Sequence, residues 1–425
     1  MIKLLFIFAI FSLCIGCSFN KNSKFWTSEK IKFEKSEEYK EIFPKGGSID
    51  KELNSGLTIN FTSKTFTKNT ENNYSNNNGR LNYNGNLKKS SRYKFSKIEN
   101  FHLYEPDISF HGNNLIFFDN KGSILKFNEN SRLIWKKNYY SKTDKKLNPI
   151  LQLVNNEKFL IVADNIAKSY MLDLETGELI WLKKNIAPFN SQIKIYKEKF
   201  FIIDFSNTLR CFSIKNGKEL WNVKTEKSLI RSQKKLSMVI IKDKIYFNNS
   251  IGDITAVDIN EGELLWQLPT QSSLIYESAF SLEMSDLISD EKNIFFSNNK
   301  NQFFSIDTDS GSFNWENKIN SNLRPTVVDD YVFSISLEGF LFVIEKKSGN
   351  IIRVTDVFDN FNPKKRSKIK PIGFIVGLKN IYLSTNTGRL LVIDIKTGKN
   401  VSKLKIDSKK ISRPFVVNNK LFLIS

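Results

Sequence analysis

Few residues in this sequence could carry out covalent or metal-dependent chemistry. The chain of 425 residues contains three cysteines and two histidines, against 36 phenylalanines. Cys211 lies in an apolar alternation and is interpreted as a buried strand residue rather than a nucleophile, because no histidine is near it in sequence. His102 and His111 are expected to be structural or solvated. This inventory disfavours a disulfide scaffold, a histidine-rich metal site and a histidine-based catalytic relay.

One segment has the carboxylate spacing of a calcium loop. In Asp307-Thr-Asp309-Ser-Gly311, two aspartates and a glycine follow one another as in loops that bind calcium. The same residues fall on a turn that recurs along the chain. The turn is therefore the preferred interpretation, and the sequence predicts no metal site and no cofactor.

The remaining candidate for covalent chemistry is Cys17, at the end of an N-terminal export segment. Leu4–Leu13 is apolar but too short to span a bilayer as a mature helix. The small residue Gly16 directly before Cys17 resembles the cleavage site of a bacterial lipoprotein signal. This resemblance implies removal of residues 1–16 and lipidation of Cys17. An ordinary secretory peptide is the alternative.

The position after the lipidated cysteine bears on location. In lipoproteins of this kind an aspartate there resembles an inner-membrane retention signal, and this chain has Ser18 instead. The resemblance therefore implies a lipid-anchored protein on the periplasmic face of the outer membrane. Cys14 leaves with the signal and Cys17 is acylated, so Cys211 alone remains and no internal disulfide is expected.

Residues 17–91 differ in composition from the rest of the chain. Segments such as Ser75-Asn-Asn-Asn-Gly79 are polar and low in complexity, with too few apolar residues to offset the entropy of ordering. We interpret this range as a largely disordered tether between the lipid and the folded body. Short apolar clusters, such as Leu57–Phe61, are expected to dock locally.

From residue 92 to residue 425 the chain repeats a short motif of the form Asp-x-x-Thr-Gly-x-x-x-Trp. Five of the six tryptophans share one register, with Trp26 as the exception, and two further copies have Arg353 and Ser402 at that place. Successive copies are 38–49 residues apart. The tryptophans of the repeat are Trp135, Trp181, Trp221, Trp266 and Trp315. Its glycines are Gly177, Gly217, Gly262, Gly311, Gly349 and Gly398.

Each copy predicts a β-hairpin. The aspartate caps backbone donors, the glycine supplies the positive φ of a tight turn, and the tryptophan ring is expected to pack against the neighbouring sheet. With a second pair of apolar runs upstream, each unit contains about four strands, the size of a propeller blade. Seven units lie between residues 101 and 405. We expect an all-β propeller of eight blades, the last built from C-terminal strands and an outer strand at Tyr93–Ile98; seven blades is the alternative.

The Asp-x-x-Thr-Gly-x-x-x-Trp motif resembles the pyrroloquinoline-quinone-type propeller repeat. Two kinds of protein carry this repeat: quinoprotein dehydrogenases, and the non-enzymatic BamB family of outer-membrane β-barrel assembly lipoproteins. The lipoprotein signal and the single propeller favour the second. The quinoprotein resemblance would imply a vicinal disulfide under the quinone, which one remaining cysteine cannot form. A quinone- or small-ligand-binding enzyme and another cell-envelope binding propeller stay as alternatives.

The resemblance to the BamB family implies partners but no catalysis. A propeller loop contacts a periplasmic domain of the barrel insertase in such proteins, and Leu229, Ile230 and Arg231 lie at the matching place. An acidic residue near that contact corresponds to Asp286. An aliphatic side chain beside an arginine is a chemically sensible anchor. A plain connection between blades is the alternative for Leu229–Arg231.

The charge of the chain has two interpretations. Lysine plus arginine number 64 against 44 acids, which gives a formal charge of +20. The basic loop at residues 364–370 could lean on anionic lipid or on an acidic partner. A lysine-rich composition spread over solvated faces is the favoured explanation. Nucleic acid is a poor partner for an exported chain, and we expect a monomer within a hetero-complex that also contains other assembly lipoproteins.

Overall fold

The computed structural model describes residues 49–61, 76–78, 80–85, 87, 91–95, 98, 106, 108–226, 234–271 and 282–425. The predicted signal, Cys17, His102 and the loop that contains Leu229–Arg231 lie outside the described residues. Within the described part of the chain, no helix is both long and apolar enough to cross a membrane.

In the described part of the chain, thirty strands form seven four-stranded antiparallel sheets and one two-stranded sheet, each made of consecutive strands. The first three sheets contain β1 (Ser109–His111), β2 (Asn114–Phe118), β3 (Ile124–Phe127), β4 (Leu133–Lys137); β5 (Leu151–Asn155), β6 (Phe159–Asp164), β7 (Lys168–Asp173), β8 (Leu179–Lys184); β9 (Lys194–Tyr196), β10 (Lys199–Ile203), β11 (Thr208–Ser213) and β12 (Glu219–Lys224). The fourth and fifth contain β13 (Met238–Ile241), β14 (Lys244–Asn248), β15 (Ile254–Asp258), β16 (Leu264–Leu268); β17 (Ile288–Ser289), β18 (Asn293–Asn298), β19 (Gln302–Asp307) and β20 (Phe313–Asn317). The last three contain β21 (Thr326–Val328), β22 (Tyr331–Ile335), β23 (Phe340–Glu345), β24 (Ile351–Asp356); β25 (Pro371–Val376), β26 (Asn380–Thr385), β27 (Arg389–Asp394), β28 (Asn400–Lys405); β29 (Phe415–Val417) and β30 (Lys420–Phe422).

Among the residues that the structure describes, two short helices lie in the connections between sheets: α1 (Lys142–Lys146) and α2 (Pro363–Arg366). The predicted all-β propeller of eight blades is confirmed, and the sheets are numbered as blades 1 to 8 in chain order. Blade 8 consists of β29 and β30 alone among the described residues, and residues 91–95, where the outer strand was expected, are not in a strand.

The core lies between successive blades, because the central strands bury both of their faces. Successive side chains of a strand point to opposite faces, so a strand packed on both sides is a continuous apolar run. In β10, Phe200 and Ile202 pack towards blade 2, while Phe201 and Ile203 pack towards blade 4. First strands of neighbouring blades contact each other, as β1 contacts β5 and β9 contacts β13, so they line the inside of the ring.

The repeated tryptophan joins each blade to the next. In the best-defined hairpin, Asp258 accepts hydrogen bonds from the backbone N–H groups of Asn260 and Glu261, at 2.8 and 2.9 Å. Gly262 has a φ of +77°, and its Cα lies against the ring of Trp221 in the preceding blade. The Trp221 indole N–H donates to the carbonyl of Ile259 at 3.2 Å. The same ring-on-glycine contact joins Trp135 to Gly177, Trp181 to Gly217, Trp266 to Gly311 and Trp315 to Gly349.

Replacing Gly262 tests the strength of this contact. A side chain at positive φ costs roughly 1–2 kcal/mol at Gly262 or at Gly112, which makes Gly112→Ala a matched control. At Gly262 an added Cβ would also lie 2.7 Å from the Trp221 ring, whereas Gly112 has no heavy atom within 4 Å. We expect Gly262→Ala to lower the free energy of unfolding by about 1 kcal/mol or more beyond Gly112→Ala, measured by urea denaturation. Equal losses would mean that the ring contact adds no stability.

Arg353 occupies the tryptophan position of blade 6 and replaces the ring contact with hydrogen bonds. Its fully buried guanidinium donates to the carbonyls of Leu57 at 2.9 Å and Ile395 at 3.3 Å, and to that of Lys396. Burial lowers the pKa of Arg353, although the carboxylate of Asp394 acts in the opposite direction. The arginine thereby connects blade 6, blade 7 and the N-terminal segment.

Removing that guanidinium is expected to loosen the N-terminal segment. Arg353→Leu leaves buried carbonyls without their charged donor, so the free energy of unfolding should fall by about 2 kcal/mol. The amide of Ile59, which donates to the Lys396 carbonyl at 3.0 Å, should exchange with solvent faster. Arg132→Leu, at an exposed position, is the control and should change neither quantity. An unchanged exchange rate at Ile59 would contradict the assignment.

Some residues before the domain boundary expected at residue 92 contact the propeller. Leu53 forms backbone hydrogen bonds in both directions with Val354 in the outer strand of blade 6, at 3.1 and 2.9 Å. Ile59 and Phe61 pack into the core between blades 6 and 7, as expected for the Leu57–Phe61 cluster. The described residues before 92 therefore pack against the propeller.

The segment Asn76–Asn78 lies among the first strands, in the central channel. Asn77 is buried, and its side-chain amide donates to the carbonyls of Met238 and Leu287, each at 2.9 Å. Asn78 accepts a hydrogen bond from the backbone N–H of Val327 at 3.0 Å. Three consecutive residues thus join blades 4, 5 and 6 from the inside of the ring.

Candidate partner-binding face at the channel mouth

Asp286 lies at one mouth of the central channel, just before the first strand of blade 5. Arg324, just before the first strand of blade 6, donates from Nε to the Asp286 carboxylate at 2.7 Å, and its Nη2 makes a second contact. The side chain of Asp286 is 14% exposed. The predicted partner residue is therefore held in an ion pair within the chain and does not project as a free anchor.

Four cations surround this carboxylate. Burial alone acts to raise the pKa of Asp286, but the charges of Arg324, Arg413, Lys234 and Lys235 outweigh it and hold that pKa well below its usual range. Each of the four precedes the first strand of its blade: blade 6, blade 8 and, for the two lysines, blade 4. The mouth therefore carries an excess of positive charge around one partly buried carboxylate.

The structure brings Asp286 close to one end of the predicted partner loop. The loop itself, including Leu229, Ile230 and Arg231, lies outside the described residues, which resume at Lys234. Lys234 and Lys235 act electrostatically on Asp286, and Lys234 also donates to the carbonyl of Asn322 in the connection between blades 5 and 6. Lys234 and Lys235, where the described chain resumes after that loop, thus lie at the same mouth as Asp286.

The sequence did not indicate Asn77, which contacts the backbone next to Asp286 from inside the channel. Asn77 reaches the carbonyl of Leu287, the neighbour of Asp286, and its side chain also accepts from Lys194. Its only signal in the sequence is a run of three asparagines, which was interpreted as low-complexity tether. Nothing local distinguishes a buried asparagine from its solvated neighbours.

The other residues considered for catalysis or metal binding, Cys211, Asp307 and His111, have structural roles. Burial raises the pKa of the Cys211 thiol to about 12, so it stays protonated. Asp307 accepts hydrogen bonds from the backbone N–H groups of Asp309 and Ser310, as a hairpin turn requires. His111 lies 3.4 Å from the Glu175 carboxylate. Within the described ranges, no group of three or more histidine, cysteine, aspartate or glutamate side chains could hold a metal ion.

The basic loop contains α2, and its charges are not equivalent. Arg366 pairs with the carboxylate of Asp356 and stacks over the ring of Phe340 at 5.6 Å, so it belongs to the packing of blade 6. The loop's four lysines are exposed: Lys364, Lys365, Lys368 and Lys370.

The architecture defines a β-propeller whose blades are joined by tryptophan–glycine contacts. The family model of outer membrane protein assembly factor BamB matches residues 120–355, more than half of the chain, and the chain belongs to this family. No curated protein sequence matches the chain.

Solved structures with the same fold are distant in sequence. The crystal structure of BamB from Moraxella catarrhalis aligns with a TM-score of 0.63 at 15% identity, over 75% of this chain and 93% of that one. The computationally designed Ika8 protein aligns with a TM-score of 0.58 at 12% identity, over 75% of this chain and 95% of that one. A europium-containing methanol dehydrogenase reaches a TM-score of only 0.44 at 13% identity, over 65% of this chain and 81% of that one, and supports no inference.

Neutralising Asp286 should destabilise the protein in a pH-dependent way. Because the folded-state pKa of Asp286 is depressed, its stabilisation is complete above the ordinary carboxyl pKa of about 3.9 and is lost as the pH falls through the folded-state value. Asp286→Asn should therefore cost about 3 kcal/mol at neutral pH, because it removes the negative charge that four neighbouring cations face, and progressively less below pH ~4. Urea denaturation between neutral and acidic pH measures both quantities.

The control is Asp359→Asn, which removes an exposed carboxylate from blade 6. It should leave the pH dependence of stability unchanged. A cost for Asp286→Asn that is the same at every pH would show that the four cations do not act on this carboxylate.

Proposed function

We propose that this protein is a non-enzymatic scaffold lipoprotein of the outer-membrane β-barrel protein assembly complex. It is anchored through lipidated Cys17 on the periplasmic face of the outer membrane, where it binds the barrel insertase and other lipoproteins of the complex. The observation that carries the proposal is the match of residues 120–355 to outer membrane protein assembly factor BamB, whose name states the role of that factor.

The channel mouth is the surface proposed to meet the insertase. In this proposal, Leu229, Ile230 and Arg231 supply an aliphatic and basic anchor. Lys234 and Lys235 follow it in the sequence and add positive charge near Asp286. A partner domain with an acidic face would be attracted to this mouth, and the aliphatic side chains would supply apolar burial at the centre of the contact. In this proposal Asp286 positions Arg324 and the two lysines, and does not itself contact the partner.

The mechanism proposed is binding and orientation. A closed ring with buried interblade cores changes shape little, so its loops present fixed anchors to the insertase. Catalysis is not part of the proposal, and no residue is assigned to it. An envelope protein held by a lipid would also restrict the partner to the membrane surface and raise its effective concentration there.

A pull-down from detergent-solubilised envelope of the native host tests the proposal, with the mature chain beginning at Cys17 as bait. We expect the wild-type chain to recover the barrel insertase. The Ile230→Ala/Arg231→Ala double variant should recover at least about tenfold less, because truncation of a central anchor commonly costs ~2 kcal/mol.

The matched control is Lys184→Ala/Ile186→Ala, which removes one basic and one aliphatic side chain from blade 2, where Ile186 is 89% exposed. Its recovery should equal the wild type. Equal recovery with the Ile230/Arg231 variant would keep the scaffold role and exclude this anchor. Absence of the insertase with every bait, while the rest of the complex stays intact, would overturn the proposed function.

A further inference from the structure

The exposed apolar side chains of this propeller are concentrated on the fourth, outermost strands of its blades. Of the fourteen large apolar side chains that are exposed in the described part of the chain, nine lie on these strands. Three pairs come directly before the repeated tryptophan: Leu133–Ile134 in blade 1, Leu179–Ile180 in blade 2 and Leu264–Leu265 in blade 4. Scattered exposed apolar residues are normal on soluble proteins, whereas this set recurs at one place in the repeat. The outer edges of these blades are therefore apolar and face solvent.

Blade 6 has the same apolar pair, but there a segment from outside the repeat lies on the outer edge. Ile351 and Ile352 stand at the two places before the tryptophan position and are half-buried. Leu53 donates to the carbonyl of Val354 at 3.1 Å and accepts from its N–H at 2.9 Å. An outer edge with this apolar pair can therefore bind an additional segment through its backbone groups.

Two further hydrogen bonds hold this segment on blade 6. The Glu52 carboxylate accepts from the backbone N–H of Asp356 at 3.0 Å, and the Asn54 side-chain amide donates to the carbonyl of Ile352 at 3.1 Å. Every second residue of the outer strand thus bonds to the segment, as expected for the free edge of an antiparallel sheet. All four hydrogen bonds use backbone groups of the strand, so another blade with the same geometry can supply them.

The outer strand of blade 2 has that geometry. Leu182 stands one residue after the tryptophan position, where blade 6 has Val354. The β-bulge lies at the same place in both outer strands, so the N–H and C=O of Leu182 point outward as those of Val354 do. The described residues supply no backbone partner on that side of β8. Leu179 and Ile180 are 41% and 47% exposed, whereas the corresponding pair of blade 6 is half-buried.

The residue after the tryptophan position distinguishes blades 2 and 6 from the other four-stranded blades. Leu182 packs against the core between blades 1 and 2, and Val354 packs in the core between blades 5 and 6. The other five blades have a polar or charged residue at this place: Lys136, Asn222, Gln267, Glu316 and Lys403. An aliphatic residue opposite Leu182 would extend an apolar core, which it could not do on those five edges. Blade 2 is therefore the outer edge that most resembles the occupied one.

The segment bound to blade 6 indicates which kind of chain would fit blade 2. It presents an acidic residue, an aliphatic residue and a side-chain amide in succession, as Glu52–Asn54. The formal charge of +20 and the exposed Lys183 on β8 favour an acidic segment over a basic one. A second copy of this chain is a poor occupant, because its own Glu52–Asn54 segment is bound to its own blade 6 and both copies carry the same charge.

We propose that the outer strand of blade 2 binds a short segment of another protein, in which an acidic residue is followed by an aliphatic residue and an amide. The aliphatic residue pairs with Leu182 as Leu53 pairs with Val354, and the segment covers Leu179 and Ile180. Backbone hydrogen bonds supply affinity, and the aliphatic contact and the charge supply selectivity. The contact is small, which suits weak and reversible binding. The inference goes beyond the proposed function, because it adds a second site on the outer rim of the ring and does not depend on the insertase contact.

The test is the binding of a labelled synthetic peptide to the purified mature protein, followed by fluorescence anisotropy. The peptide is Ile-Asp-Lys-Glu-Leu-Asn-Ser-Gly with blocked ends, the sequence of residues 49–56. The same peptide with an N-methylated leucine cannot donate to the carbonyl of Leu182, and a version with lysine in place of glutamate carries the opposite charge. We expect saturable binding of the first peptide and about tenfold weaker binding of each modified one. The Leu182 amide should exchange with solvent more slowly when the first peptide is bound.

Two protein variants locate the site. Leu182→Pro removes the outward N–H from the edge of blade 2, a place where a sheet tolerates proline, and Asn222→Pro makes the same change at the corresponding place in blade 3. We expect Leu182→Pro to bind the peptide about tenfold more weakly than the wild type, and Asn222→Pro to bind it equally well. Should Leu182→Pro fail to fold, the N-methylated peptide and the exchange of the Leu182 amide test the same hydrogen bonds on the wild-type protein.

Four results would overturn the proposal. Absence of peptide binding would exclude the site, and equal binding of the N-methylated peptide would exclude pairing with the strand edge. Equal losses in Leu182→Pro and Asn222→Pro would exclude the preference for blade 2. Protection of the Leu182 amide without peptide would show that the edge is filled by the chain itself if it is independent of protein concentration, or by a second copy if it rises with concentration.

Discussion

The contact between an indole ring and an unsubstituted Cα in the next blade is the interaction on which the rest of this structure depends. A single four-stranded sheet cannot bury both of its faces, so each blade is stable only against its neighbours. Gly262 satisfies two requirements at one residue: the positive φ of its own hairpin and the close approach of Trp221. Because the same glycine forms the turn of one blade and contacts the ring of the preceding blade, each repeat fixes the position of its blade relative to that neighbour.

The ring is least regular from blade 6 round to blade 1, and the N-terminal segments lie mostly there. Arg353 replaces a tryptophan and recruits the carbonyl of Leu57. Leu81 and Tyr83 join the core between blades 7 and 8, and Ile98 joins the core between blades 8 and 1. Chain outside the repeat therefore supplies burial where the repeat is degenerate or short.

Electrostatics distinguishes two surfaces on a molecule that is basic almost everywhere. At the channel mouth, four cations converge on Asp286 strongly enough to outweigh the effect of burial on its pKa. Beside β30, six basic side chains and several apolar ones line a cavity. Composition alone suggested diffuse charge on solvated faces, whereas the fold concentrates it where blades end or loops converge.

The spacing of tryptophan, aspartate and glycine was sufficient to predict the all-β class, the four-stranded unit and eight blades, since turns and period-2 burial are local properties of a chain. The sequence also placed Arg353 at a tryptophan position but did not indicate what it binds. Only tertiary structure decided that Asn77 lies in the channel and that Asp286 pairs with Arg324. Those contacts join residues tens to hundreds of positions apart, and they exist because ring closure brings them together, not because any local pattern encodes them.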